Sequence, residues 1–221
     1  MSDPTRSNDH FATLDHRRSV RLGMPEAVFC SGKTPQQCLA IVEEFLATGR
    51  DAVIATRTDE AQRALLTDLA PTQVGQSLLT WNHRPSTGRR IAVVTAGTSD
   101  IPVADEAAGV LMAMGHHVDR ITDVGVAGLH RLLDTLPRIE EAEVVLAVAG
   151  MEGSLPTVLA GLIPQPIIAI PTSVGYGSSL DGVTALLSMM ASCAPGLSVV
   201  GIDNGYGAAC AAHRILGMPD Q

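Results

Sequence analysis

Five short segments hold most of the residues in this sequence that could bind a ligand or do chemistry. Each is rich in glycine and polar residues and follows an apolar run; the segments are 96–100, 123–131, 149–156, 171–178 and 203–207. An apolar run that ends in a polar, glycine-rich turn is typical of a buried strand followed by a loop. One such loop means little, but five at one edge of a sheet would form a site.

The first segment is a candidate phosphate site. Gly97, Thr98 and Ser99 come just before a predicted helix, and glycine lets backbone N–H groups approach an anion at a helix N-terminus. The alternative is that Ser99 or Asp100 only caps the helix. We expect polar residues of the fourth and fifth segments to complete substrate binding, namely Thr172, Ser173, Gly175, Tyr176, Asp203 and Asn204.

Two further segments carry candidate acid–base residues. His130 follows two glycines and could transfer a proton near neutral pH, and Arg131 could pair with phosphate; alternatively both are surface residues. Glu152 is the sole charged residue between Glu143 and Asp181, so we expect it to be desolvated, which suits a general acid or base. A buried structural carboxylate bonded to backbone N–H groups is the alternative.

Cys193 is the candidate nucleophile, because a thiolate is strongly nucleophilic and this residue falls where a predicted helix gives way to a loop. Spacing alone, however, favours an inert core cysteine at this position. Packing more readily explains the other three cysteines, Cys30, Cys38 and Cys210. The four show no CxxC motif and no paired spacing, so the sequence favours a reduced, cytoplasmic setting.

The elements that must position these residues form a repeated strand–turn–helix pattern from residue 91 onward. The predicted strands are 91–95, 118–124, 144–149, 166–170 and 197–202, and the predicted helices are 102–114, 129–136, 155–162, 181–192 and 208–216. Continuous apolar strands separated by helices are typical of a parallel sheet covered on both faces. Ligands of such sheets bind beyond the carboxyl ends of the strands, where the five segments fall. His116 and His117 are expected on the surface.

The chain is predicted to form two domains. Residues 89–221 form the larger one, and residues 1–88 form a small α/β module with its linker. In the module, Thr34 and Pro35 begin a helix that Gly49 ends. A strand at 52–55, a second helix at 60–69 and a linker at 82–90 complete the prediction.

Composition excludes several function classes. The 221 residues are 46% hydrophobic, which excludes disorder, and their net charge of −8 argues against binding a nucleic acid polymer. Residues 1–90 hold 11 basic and 10 acidic side chains, whereas residues 91–221 hold 4 and 13. No membrane span is expected, because four prolines and Glu152 interrupt the apolar stretch 144–180. The N-terminal sequence also lacks the apolar core of a signal peptide.

Long motifs carry a resemblance to a known family. They read LDHRRSVRLGMPEAVFCSGKT, AGTSDIPVADEAA, DVGVAGLHRLL, AGMEGSLPTVLAGLI, PTSVGYGSSLDGVTALLSMMASCAPG and IDNGYGAA. In this order they resemble the LarB family of nickel-pincer cofactor biosynthesis, whose C-terminal half is similar to the purine-pathway mutase PurE. The resemblance implies a three-layer, PurE-like (flavodoxin- or Rossmann-like) parallel sheet domain after the small α/β module. Met24 and Tyr206 depart from the pattern, each standing where phenylalanine is expected.

The resemblance also implies a reaction. Nicotinic acid adenine dinucleotide is carboxylated by CO2 or bicarbonate at ring carbon 5, and its phosphoanhydride is hydrolysed to release AMP. The product is pyridinium-3,5-biscarboxylic acid mononucleotide, a precursor of the cofactor of lactate racemase-type enzymes. The resemblance assigns a covalent role to Cys193, an acid–base role to Glu152 and the place of the PurE catalytic histidine to His130. It further implies a homo-octamer with sites between subunits.

This chemistry requires positive charge near the substrate phosphates. Mg²⁺ would supply part of it, and since no ligand cluster is evident we expect the ion on the phosphates plus one carboxylate, for which Asp100 is the candidate. Because the larger domain is acidic, we expect the module of the same or a neighbouring subunit to supply cations over the site, with Lys33 and Arg57 binding substrate. The remaining cations in this prediction are Arg17, Arg18 and Arg21.

Two other functions stay open. One is a PurE-type carboxyaminoimidazole ribonucleotide mutase, against which Cys193 and the N-terminal module argue, since that chemistry needs no thiol. The other is a non-catalytic nucleotide-binding protein, which would explain the glycines but not an isolated glutamate and a suitably placed cysteine.

Overall fold

The computed structural model describes residues 11–49 and 51–217 of the chain. Clustering of backbone contacts divides the chain into two units. The N-terminal unit comprises residues 1–85 and 113–115, and the C-terminal unit comprises residues 86–112 and 116–221. Both units are α/β, as predicted. Within the described residues, no helix is long and apolar enough to cross a membrane.

The N-terminal unit contains a small mixed sheet. Its elements are α1 (Arg18–Leu22), β1 (Ala27–Phe29), α2 (Pro35–Thr48), β2 (Val53–Thr56), α3 (Glu60–Thr67), β3 (Gln73–Val74) and β4 (Leu78–Trp81). The strand order is β1-β2-β4-β3, with β1 and β2 parallel and the other pairs antiparallel. The sequence predicted α2, β2 and α3 but not α1, β1, β3 or β4, which are all five residues or shorter.

Local sequence explains why α2 forms where it was predicted. The Thr34 side chain accepts a hydrogen bond from the Gln37 amide, and the Gln37 side chain accepts one from the Thr34 amide, which makes a capping box. Pro35 suits the first turn, where its missing N–H has no intrahelical partner. Gly49 ends the helix in the left-handed conformation, with φ of 61°.

The C-terminal unit contains a five-stranded parallel sheet flanked by helices, which confirms the predicted fold class. Its elements are β5 (Arg90–Thr95), α4 (Ile101–Ala113), β6 (His117–Ile121), α5 (Leu129–Ile139), β7 (Val144–Ala149), α6 (Leu155–Ala160), β8 (Ile167–Pro171), α7 (Val183–Met190), β9 (Leu197–Val199) and α8 (Gly205–Leu216). The strand order is β6-β5-β7-β8-β9. Every residue of β7 and β8 is buried, as continuous apolar strands require.

Several predicted boundaries were wrong for local reasons. α7 begins at Val183 rather than at residue 181, because Leu180 and Asp181 adopt left-handed backbone angles, with φ of 48° and 50°. α8 begins at Gly205 rather than at residue 208, because the Asn204 side chain caps it by accepting from the Gly207 amide. β6 and β9 each end three residues earlier than predicted.

The expectation that His116 is a surface residue was wrong. The side chain is 5% exposed, and its Nε2 lies 2.8 Å from Nδ1 of the buried His213 on α8. Its other ring nitrogen lies 3.0 Å from the Thr87 hydroxyl. Hydrogen bonds on both ring nitrogens make this burial possible. His117 is exposed, as predicted.

Candidate active site

The strand order places a ligand-binding crevice at a defined point of the C-terminal sheet. The chain passes from β5 to β6 on one side and then returns to β7 on the other side of β5. The loops after β5 and β7 therefore diverge at the carboxyl edge, which is where open α/β sheets bind ligands. Residues 96–100 follow β5 and residues 150–154 follow β7, so two of the five predicted segments flank this point.

Asp100 joins three of these loops. Its carboxylate accepts hydrogen bonds from the Gly97 amide at 2.9 Å and from the Thr172 hydroxyl, which follows β8, at 2.7 Å. The Gly150 amide, which follows β7, also donates to it. Asp100 is 3% exposed, and this burial raises the pKa of its carboxyl, against the opposing effect of the three hydrogen bonds. The desolvated carboxylate of this edge is therefore Asp100.

The expectation that Asp100 binds Mg²⁺ or substrate directly does not fit this geometry. Both of its oxygens accept hydrogen bonds from the protein, and the side chain is buried. Within the described residues, no group of three or more histidine, cysteine, aspartate or glutamate side chains could hold a metal ion. Asp100 therefore organises the loops.

Glu152 is exposed, so the prediction that it is desolvated was wrong for the single chain. The turn that follows β7 explains the difference. Met151 adopts a left-handed conformation with φ of 52°, and its amide donates to the Val174 carbonyl at 2.8 Å, so the chain leaves the sheet before Glu152 is reached. Ser154 donates to the Glu152 carboxylate at 3.2 Å. Glu152 is thus oriented at the surface of the edge and is open to a ligand.

A glycine is required beside this turn. A Cβ on Gly150 would lie 2.3 Å from the Val174 carbonyl oxygen and 2.6 Å from the Thr172 hydroxyl. Neither distance is tolerable, so Gly150 allows the loops after β7 and β8 to approach each other. The predicted site residues of these two loops are brought together as a result.

Cys193 is an exposed free thiol in the loop between α7 and β9. The alternative interpretation of this residue as an inert core cysteine was therefore wrong. The two cysteines of the N-terminal unit, Cys30 and Cys38, are 0% exposed, in agreement with the packing role predicted for them. Cys210 is half-buried in α8. Cys193 is the most accessible nucleophilic sulfur of the four.

His130 and Arg131 lie in the first turn of α5. His130 is exposed, and the Arg131 guanidinium donates to the Asp123 carboxylate at 2.5 Å. A Cβ on Gly128 would lie 2.6 Å from Nε of Arg131, so this glycine leaves room for the guanidinium. Arg131 is therefore partly neutralised, and a phosphate would have to compete with Asp123 or bind beside the pair.

Some of the other predicted binding residues make hydrogen bonds within the protein, and some are exposed to solvent. Ser173 donates its amide to the Asp203 carboxylate at 2.8 Å, which ties the fourth segment to the fifth, and Asn204 serves as the cap of α8. Thr172 is fully buried. The exposed members of the set can reach a ligand; they are Thr98, Ser99, Ser173, Gly175 and Tyr176.

In the N-terminal unit, Lys33 and Arg57 follow two neighbouring parallel strands. Lys33 comes after β1 and donates to the Phe29 carbonyl at 2.6 Å, and Arg57 comes directly after β2 in a left-handed conformation with φ of 58°. The carboxyl ends of parallel strands lie at the same edge of a sheet, so Lys33 and Arg57 both follow strands at this edge of the small sheet. Arg21 differs, since it pairs with Asp15.

Two features of the site escaped the sequence analysis. Glu106 of α4 is 3% exposed and accepts from the Tyr206 amide at 3.2 Å, which joins α4 to the start of α8. The Ser192 and Thr157 hydroxyls lie 2.8 Å apart, beside Cys193. Neither pair has a local sequence signal, because its members lie 100 and 35 residues apart.

The fold and this site define a class: a doubly wound α/β protein with a candidate ligand site in the polar loops at the carboxyl edge of a parallel sheet. Comparison with protein families agrees. A model described as AIR carboxylase matches residues 90–221, and one described as LarB/PurE-like N-terminal domain matches residues 6–82. The chain belongs to the AIR carboxylase family, which is associated with carboxylation-type chemistry.

The chain is also similar to individual proteins. The chain is 40% identical over 215 residues to an uncharacterized protein of Methanocaldococcus jannaschii, covering 91% of this chain and 82% of that one. It is 35% identical over 136 residues to the N5-carboxyaminoimidazole ribonucleotide mutase of the same organism, covering 59% and 81%. A crystal structure of a Treponema denticola PurE2 variant matches with a TM-score of 0.48 and 19% identity, covering 61% of this chain and 83% of that chain.

Proposed function

We propose that the protein carboxylates nicotinic acid adenine dinucleotide at ring carbon 5 and hydrolyses its phosphoanhydride. The products would be AMP and pyridinium-3,5-biscarboxylic acid mononucleotide, for nickel-pincer cofactor biosynthesis. The observation that carries the proposal is the exposed free thiol of Cys193 in the AIR carboxylase-like unit. A ribonucleotide mutase needs no such nucleophile, whereas carboxylation of a pyridinium ring does.

The need for a thiol follows from the electronic structure of the ring. A pyridinium cation is electron-poor and cannot attack CO2. Addition of the Cys193 thiolate forms a C–S bond and converts the ring to a dihydropyridine, an enamine whose carbon 5 donates an electron pair to CO2. Loss of the proton at carbon 5 and cleavage of the C–S bond then restore the aromatic pyridinium. A thiolate both adds and leaves readily, which an alkoxide does not.

Glu152 is the proposed base for the proton at carbon 5. Its carboxylate is exposed and oriented by Ser154, so it can meet a substrate that binds over the edge. A bound dinucleotide or a neighbouring subunit would exclude water from Glu152, which suits a general base. A homo-octamer with sites between subunits is part of this proposal. His130, exposed in the first turn of α5, is proposed as a second proton-transfer group.

Hydrolysis of the anhydride requires neutralisation of the phosphates. The Gly97 amide already donates to Asp100, so the amides of Thr98 and Ser99 are proposed to supply partial positive charge, and the Lys33 and Arg57 side chains are proposed to supply full charges. Mg²⁺ bound to the substrate phosphates would stabilise the charge that develops as water attacks.

Product analysis tests the proposal. The protein is incubated with nicotinic acid adenine dinucleotide, bicarbonate and Mg²⁺ and, in a parallel reaction, with carboxyaminoimidazole ribonucleotide, and the products are identified by mass spectrometry. AMP together with a doubly carboxylated mononucleotide supports the proposal. Turnover of carboxyaminoimidazole ribonucleotide alone would favour a mutase, the second candidate, which the 35% identity to such an enzyme recommends. Binding of the dinucleotide without turnover would reject both enzymes.

A further inference from the structure

A pair of hydroxyl groups beside Cys193, one in its own loop and one on α6, has no role in the mechanism described so far. Ser192 lies directly before Cys193, and Thr157 lies on α6; their oxygens are 2.8 Å apart. Ser192 also accepts a hydrogen bond from the Ala194 amide at 3.2 Å. We propose that Ser192 and Thr157 are positioning residues that fix the Cys193 thiol for addition to the substrate ring. This inference rests on the proposed function, since it presumes that Cys193 is the nucleophile.

The two hydrogen bonds of Ser192 support a fixed loop. Its hydroxyl oxygen accepts from the Ala194 N–H, and the same hydroxyl shares a hydrogen bond with the Thr157 hydroxyl, in which either oxygen can be the donor. The bond from residue 194 back to residue 192 closes a serine turn with Cys193 at its centre. The backbone on both sides of the thiol is therefore held by one side chain, and that side chain is held by α6.

The helix that anchors the pair is itself well fixed. Leu155, Pro156 and Leu159 of α6 are buried, and the helix begins three residues after Glu152. The pair thus connects the loop that carries the proposed nucleophile to the helix that follows the proposed base. A reacting group displaced by about 1 Å can lose about 100-fold in rate, so such a connection is of direct catalytic value.

A cleft of about 310 Å³ lies beside the loop, and all of its lining residues except Ser192 have apolar side chains. The lining residues are Leu186, Met189, Met190, Ser192, Ala194, Leu197 and Val199. Apolar contacts are not directional and do not fix the orientation of a backbone turn. The hydroxyl pair therefore adds a side-chain restraint to the backbone bond that the Ser192 amide donates to the Met189 carbonyl at 3.3 Å.

Single and double variants test this inference on the full chain. Ser192→Ala and Thr157→Val each remove one hydroxyl, and the double variant removes both. Thr157→Ser keeps the hydroxyl and is the rescue variant. Ser188→Ala is the matched control, because Ser188 is an exposed serine of α7 one turn earlier. Circular dichroism confirms that each variant is folded before it is compared.

Two readouts are measured. The first is the rate of carboxylation of the dinucleotide, resolved into kcat and KM. We expect kcat to fall about tenfold in either single variant with KM little changed, and the double variant to be no worse than a single one. Thr157→Ser and Ser188→Ala should stay near the wild-type rate. Unchanged kcat in Ser192→Ala, additive losses, or an equal loss in Ser188→Ala would overturn the inference.

The second readout does not depend on substrate turnover. Alkylation of Cys193 by iodoacetamide is followed against pH by peptide mass spectrometry, which separates it from the other cysteines. We expect the pH profile to shift to the same extent in Ser192→Ala and Thr157→Val and to return in Thr157→Ser. Superimposable profiles would reject the positioning role even if the wild type carboxylates the dinucleotide. Shifted profiles in a protein without carboxylase activity would reject the proposed function but keep the positioning role.

Discussion

Replacing Thr172 by valine removes one hydrogen bond at the centre of the candidate site while keeping the shape of the side chain. Thr172 is 0% exposed, and its hydroxyl donates to the buried Asp100 carboxylate at 2.7 Å. A hydrogen bond to a charged group contributes about 1.5–3 kcal/mol to stability. We expect Thr172→Val to lower the free energy of unfolding by about 2 kcal/mol, which moves the urea midpoint by about 1 M.

Thr95→Val is the matched control. Thr95 is also 0% exposed at the end of a strand, but its hydroxyl accepts from the Asp123 amide at 3.1 Å, a bond between neutral groups. Its loss should cost about 1 kcal/mol. Unfolding is followed in urea by circular dichroism at one protein concentration. Fluorescence of Trp81, the sole tryptophan of the sequence, reports on the N-terminal unit separately.

The pH dependence of the difference identifies the cause. The Thr172 hydrogen bond stabilises the ionised form of Asp100, and it therefore opposes the rise in pKa that burial produces. Its contribution is fully present above the raised pKa of Asp100 and is lost as the pH falls through that value. The stability gap between wild type and Thr172→Val should therefore shrink on acidification. Equal losses in Thr172→Val and Thr95→Val, or a gap that does not change with pH, would refute the reasoning.

Three further predictions follow from charged groups. In the N-terminal unit, Arg84→Ala should cost about 2–3 kcal/mol by Trp81 fluorescence, because it leaves the Asp51 carboxylate without its two bonds of 2.6 and 2.7 Å. Burial alone would raise the pKa of Asp51, but the hydrogen bonds from Arg84 and Ser19 outweigh burial and lower it. The greater stability of the wild type over Arg84→Ala should therefore fade as the pH falls through this lowered pKa. A stability difference that does not change with pH would contradict this. Glu152→Gln should lower kcat for carboxylation about 100-fold with KM unchanged, and an unchanged kcat would exclude it as the base. Replacing both Lys33 and Arg57 by alanine should weaken dinucleotide binding at least tenfold in calorimetry, and unchanged affinity would refute their role.

The parallel sheet of the C-terminal unit was predictable from the sequence because its central strands, β5, β7 and β8, are largely apolar runs followed by glycine and polar residues. The N-terminal unit was harder. β3 has only two residues. β4 shows no alternation of buried and exposed side chains, because all four of its residues are buried. Neither length nor period distinguishes such segments from loops.

The site was predicted as a set of loops but not as a set of contacts. Asp100 meets Thr172 across 72 residues, and this pairing arises only when β5 and β8 take their places in the sheet. The solitary charge at Glu152 suggested burial, yet the left-handed turn at Met151 carries it to the surface. Hydropathy along the chain records which segments are apolar, whereas a single residue at a strand end is governed by backbone angles and long-range partners.

The most direct test of the account is the incorporation of ¹³C-bicarbonate into the dinucleotide by wild type and by Cys193→Ala, with Cys210→Ala as the control for loss of a thiol. The account predicts labelled biscarboxylate from the wild type and Cys210→Ala. From Cys193→Ala, at the same oligomeric state, it predicts a rate lower by at least about 1,000-fold. Labelled product from Cys193→Ala at a rate near that of the wild type would contradict the covalent mechanism.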